Sequence, residues 1–167
     1  MPLGAAPIRA YAVYNKPMTV AIIVGTASLV LLVYWFRYTS LLILSTKTSQ
    51  DFSYDIAHTH ELQFHEMRAS LATAAPSLRF AALHSGIDHD YRLVAALLRN
   101  VDSNESGANL EDVILRIDFV GLKLAYRLAQ PFSENIARQA LKEMADVVAH
   151  LANAVGERSM ASQPSAI

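Results

Sequence analysis

Apolar and polar positions divide the chain into one uninterrupted apolar run and a series of helix-period stripes. From Met18 to Leu44 the sequence reads MTVAIIVGTASLVLLVYWFRYTSLLIL, with 20 of 27 residues apolar and Arg37 as the only charge. Its uncharged part, Met18 to Phe36, is 19 residues long, about 28 Å of helix against about 30 Å of bilayer hydrocarbon. A single N-terminal transmembrane helix is the element this predicts, with Pro17 in the first turn and Asn15 as its cap. Tyr34, Trp35, Phe36 and Tyr38 bracket Arg37 as an aromatic belt does around a snorkelling cation. The run is too long for a signal-peptide core and leads into YWFRY rather than a small-x-small cleavage site, so an uncleaved anchor is expected.

Beyond the span the period is helical throughout, and no segment alternates as a strand would. Ser45 to Ser49 is a polar patch where the helix can break, and Thr48 with Asp51 resembles a capping box. Phe52, Ile56, His60, Phe64, Met67 and Leu71 then form one stripe that Pro76 ends. A short helix from Ser77 to about His84 is expected to stop at Gly86, with Ser85 and Asp88 capping the next. Ile87, Tyr91, Val94, Leu98 and Val101 mark that next helix. After the polar loop DSNESGAN, a third long helix is marked by Leu110, Val113, Ile114, Ile117, Val120, Leu124 and Leu128 and closed by Pro131. Ser133 begins the last, with Ile136, Ala140, Met144, Val147, Leu151 and Ala154 as its stripe up to Gly156.

The expected fold is therefore all-α: a transmembrane helix followed by an antiparallel bundle of about four helices. By residue number, the divisions are an N-terminal tail at 1–17, the span with its interfacial extension at 18–44, the bundle at 45–156 and a flexible tail at 157–167. Composition sharpens this picture. The chain is 53% hydrophobic and 17% charged, but without the span the remaining residues have an ordinary apolar content and are still short of charge, as expected if a partner covers some of the surface. From Tyr38 onward, 11 basic residues face 15 acidic ones, a net −4, which argues against nucleic acid as a partner. Without cysteine there is no thiolate chemistry, Cys-ligated zinc or iron–sulfur cluster.

Candidate chemistry is sparse. In HTHELQFHEM, His60 and His65 are five residues apart where the zincin motif needs four, which puts the imidazoles about 140° apart on a helix. A di-iron bundle is built on Glu-x-x-His pairs, and the chain has none. Glu61 with His65 and His84 with Asp88 are i,i+4 pairs that, with His58, offer an alternative metal-binding or ligand-sensing bundle, but solvated helix faces are the better account of them. His60, on the apolar stripe, reads as a hydrogen-bonded core histidine, and His150, one turn after Asp146, as a cation near a helix C-terminus. Arg68, Arg79, Arg92 and Arg99 are expected to pair with surface carboxylates. No dinucleotide, phosphate-loop or esterase motif is present.

These features point to a non-enzymatic, cofactor-free accessory subunit or scaffold of a membrane complex, with the bilayer and other transmembrane subunits as partners. The expected interaction residues are Ala21, Gly25 and Ser28, small residues on one face of the span, together with Tyr34, Trp35 and Arg37 at its boundary. Arg37 beside the span favours a cytoplasmic C-terminal domain.

Overall fold

The structure, a computed structural model, describes residues 10–46, 51–73, 79–102 and 109–161. Among them the chain is all-helical: α1 (Ala10–Ser45), α2 (Ser53–Thr59), α3 (Phe64–Ala72), α4 (Phe80–Asp102), α5 (Leu110–Ala129) and α6 (Glu134–Ala161). They form two compact units, residues 1–41 and 42–167.

The first unit is most of α1. Its stretch Met18–Ser45 is the one helix among the described residues long and apolar enough to cross a membrane, and none of its most apolar window is buried. The helix begins at Ala10, so Asn15 is not its cap. The alanine- and valine-containing turn before Pro17 is helical by propensity, and the proline removes one backbone donor without ending the helix.

In the second unit α6 is the hub. It touches α2, α3, α4 and α5 and buries residues around most of its circumference, among them Val147, Leu151, Leu141 and Gly156. A helix apolar over most of its circumference belongs at the centre of its unit. Ion and ring pairs give the directions of the rest. His84, Asp88 and Tyr91 of α4 meet Tyr126, Lys123 and Phe119 of α5, an antiparallel order. Asp112 of α5 binds Arg158 of α6, again antiparallel across the Pro131 turn. Ser133 closes that turn, where its hydroxyl accepts from the Ile136 N–H at 3.4 Å. Asn109 caps α5 through the Glu111 N–H.

Several boundaries depart from the sequence expectation. The stripe from Phe52 to Leu71 is broken between α2 and α3 at His60–Gln63, where Glu61 takes a left-handed φ of 54°. His60 is consequently exposed on the turn and is not a core residue. The Asp90 carboxylate holds the break, accepting from the Gln63 N–H at 2.8 Å while 3% exposed. The cap position of α2 is Phe52, and Asp51 just before it accepts from the Ser53 N–H at 3.0 Å; Thr48, Pro76 and Ser77 lie outside the described residues.

Neither Gly86 nor Gly156 stops a helix. Each is a site of close approach: a Cβ on Gly86 would meet the Met67 Cε at 2.2 Å, and one on Gly156 the Phe52 Cβ at 2.3 Å. Hence α4 is continuous from Phe80, with Ser85 inside it. α6 runs on to Ala161, through the first residues of the expected tail, so His150 is mid-helix; 162–167 lie outside the described residues.

Candidate docking surface

Within α1, Ala21, Gly25 and Ser28 are all exposed, and a Cβ built on Gly25 meets nothing within 4 Å. Tyr34 and Trp35 are exposed, Trp35 stacks edge-on against Tyr38 at 5.9 Å, and Arg37 is half-buried. The small-residue face is thus unfilled by the chain's own side chains.

The five histidine and carboxylate candidates are divided between two places. His58, Glu61 and His65 line one surface cavity together with Tyr54 and Glu66. His84 and Asp88 sit on α4 against α5, occupied in packing: His84 stacks on Tyr126 at 4.7 Å, and Asp88 accepts from Lys123 and from Arg92. Among the described residues no three His, Asp or Glu side chains are grouped to hold a metal ion. Burial, reinforced by Lys123, pushes the His84 pKa below its ordinary value. Burial, the largest single influence on Asp88, opposes its ionisation, but the Lys123 hydrogen bond together with the charges of Lys123, Arg92 and His84 outweighs it and holds the carboxyl below its usual range.

A polar cavity of about 390 Å³ that sequence reading missed is lined by Asp51, Ser53, Arg68, Asp146, His150 and Asn153, among others. Arg68 Nε lies 2.8 Å from Asp146, whose pKa is nevertheless raised because burial outweighs the arginine. The Ser53 hydroxyl donates to Asp51 Oδ1 at 2.6 Å and lies 3.4 Å from His65 Nε2. The carboxylate thus accepts the serine's hydrogen bond instead of orienting the histidine, unlike a nucleophile–base–acid chain. Asn153 accepts from the Phe52 N–H at 2.7 Å and donates to Glu157, which ties α2 to α6. These groups hold helices together.

The surface that structure alone exposes is on α5. Leu115, Phe119, Leu122 and Tyr126 face the core, and Tyr91 stacks flat on Phe119 at 3.8 Å. The stripe that marked this helix in the sequence is the opposite side. Leu110, Val113, Ile117, Val120, Leu124 and Leu128 are 38–71% exposed. With Ile114, Gly121 and Ala125 they cover about 140° of the helix at 100° per residue, and no charge lies within that arc. Phe132 and Ile136, just past the helix, are exposed too. Two apolar stripes were present in the sequence, and their opposed placement on one helix was the signal that α5 is apolar on its outer side as well as its inner one.

Arginines border this face. Arg116 lines a cleft of about 220 Å³ with Tyr91, Ala95, Ala96, Arg92 and Arg99 of α4, and Arg127 lies beside Leu124 and Leu128 on the same flank. Of the four arginines expected to pair at the surface, Arg68 and Arg92 do so, with Asp146 and Asp88. Arg79 and Arg99 make no ion pair among the described residues, and neither do Arg116 and Arg127. The Arg116 Nε is buried without a hydrogen-bond partner. No protein-family model, curated protein or solved structure matches the chain.

Proposed function

We propose that the chain is a single-pass membrane-anchored scaffold or accessory subunit that works by helix packing, with α1 as the anchor and α2–α6 as an antiparallel bundle beside the membrane. The observation that carries this reading is the outer face of α5. Six large aliphatic side chains in one stripe form a contiguous patch of the kind that monomeric soluble proteins rarely leave open. Gly25 with Ala21 and Ser28 gives a second contact inside the bilayer, where small residues let a neighbouring span approach. Arg37 beside the span favours a cytoplasmic bundle.

The test is affinity purification of the tagged full chain from native membranes in mild detergent. A partner recovered in fixed stoichiometry, and reduced by Gly25→Leu or by Val120→Glu, is the expected result. A chain that elutes alone, with the same hydrodynamic size for wild type and both variants, overturns the reading.

A further inference from the structure

The α5 face has a definite pattern as well as an apolar character, and the pattern limits what covers it. Leu110, Val113, Ile117, Val120 and Leu124 step by three, four, three and four, the seam of a helix that receives another helix. Gly121 sits within the face, exposed, and an added Cβ there meets nothing within 4 Å. The fold does not need a glycine at this position, whose absent side chain leaves room for a second backbone.

Charge decides the occupant. One flank of the seam carries Arg116, Lys123 and Arg127. Lys123 is taken by Asp88, whereas Arg116, Arg127 and the nearby Arg99 have no ion-pair partner among the described residues. A second copy laid antiparallel on this seam sets Arg116 and Lys123 against their own equivalents, which repels; laid parallel, it sets them against Ile114, Gly121 and Leu128, which leaves the arginines unmatched. An acidic flank matches them.

Resting on the docking reading above, we infer that the outer face of α5 receives an amphipathic helix of another protein, with an aliphatic seam against Val113, Ile117, Val120 and Leu124 and glutamates or aspartates over Arg116 and Arg127.

The test uses the full chain in neutral-lipid nanodiscs and two synthetic helices of about 21 residues, spanning the length of α5. Both have a leucine seam; one carries glutamate flanks and the other lysine flanks. Fluorescence anisotropy is expected to show the glutamate helix binding at least about tenfold tighter, a gap that narrows as salt rises from about 50 to about 500 mM. Ile117→Asp, at an exposed position that leaves the circular dichroism unchanged, abolishes binding, and Gly121→Leu weakens it about tenfold or more. Arg116→Glu with Arg127→Glu inverts the preference. Equal binding of the two helices, or inversion failing in the double variant, overturns the acidic occupant. So does α5-dependent dimerisation seen by light scattering, or α5-dependent adhesion to anionic vesicles in place of peptide binding; either leaves the docking reading standing with a different occupant. Loss of docking altogether is read separately, by the native-membrane purification.

Discussion

Gly156 of α6 lies directly against the side-chain root of Phe52, so close that a methyl group in its place would come within 2.3 Å of the Phe52 Cβ and 2.9 Å of Cγ. The root of an aromatic side chain cannot swing away without moving its backbone. Gly156→Ala is therefore expected to cost about 2 kcal/mol, as overpacking does, despite alanine's better helix propensity. Gly86→Ala meets only the end of the flexible Met67 side chain and is expected to cost less than half as much. Urea denaturation followed by circular dichroism separates the two.

The turn between α2 and α3 places Glu61 at a φ of 54°, a conformation costing a side-chain-bearing residue about 1–2 kcal/mol. Glu61→Gly is expected to be at least as stable as the parent. Glu61→Val, with a branched Cβ in the same backbone, is expected to lower stability by about 1–2 kcal/mol. Thermal melts of both variants make the comparison, and a valine variant as stable as the glycine one contradicts it.

His84 and Asp146 give the unit opposite pH responses. Burial lowers the His84 pKa in the folded state, so the unfolded chain takes up protons first on acidification. The stability contributed by neutral His84 is lost as pH falls from about 6.5 toward its folded value. Burial raises the pKa of Asp146, so the folded state binds more protons above about 3.8 and ionised Asp146 costs stability at neutral pH. Asp146→Asn is expected to raise the melting temperature at pH 7, with the gain fading toward pH 4. His84→Gln is expected to flatten the decline between pH 7 and 5. A gain that persists at pH 4, or an unchanged acid slope, refutes the respective assignment.

Among the described residues, Asp112 and Arg158 form the most enclosed ion pair between helices, at 2.6 Å with side chains 5% and 16% exposed. Arg158→Ala strands the aspartate and is expected to cost about 3 kcal/mol. Arg92→Ala, at a 74% exposed arginine on Asp88, is expected to change stability by about 0.5 kcal/mol or less. Chemical denaturation of the two variants checks the contrast.

Periodicity read the helical class, the long apolar helix and the stripe of α6 from the sequence, because Met144, Val147 and Leu151 face the same core as their spacing indicates. It failed where a residue's role depends on what lies opposite. Gly86 and Gly156 have the composition of helix ends, yet their meaning is set by Met67 and Phe52, distant in the chain. His60 kept the period of its stripe but fell on a turn made by a left-handed Glu61, which no spacing shows. Arg158 was assigned to a tail because its neighbours lack an apolar period, while its partner Asp112 lies in another helix. For α5 the spacing was right and the side was wrong. Both of its faces are apolar, and only the position of α6 distinguishes the inner from the outer.

The central place of α6 also dictates the order in which the chain can acquire its tertiary structure during synthesis. α6 follows α2, α3, α4 and α5 in the chain, and all four rest on it. Until the segment from Glu134 to Ala161 has left the ribosome, the earlier helices lack the surface that buries Phe64, Leu98 and Leu115. The unit therefore completes its fold only once α6 has been made. A nonsense mutation between α1 and Glu134 yields a chain that keeps the apolar α1 but lacks the helix on which the second unit packs, a substrate for quality-control proteases.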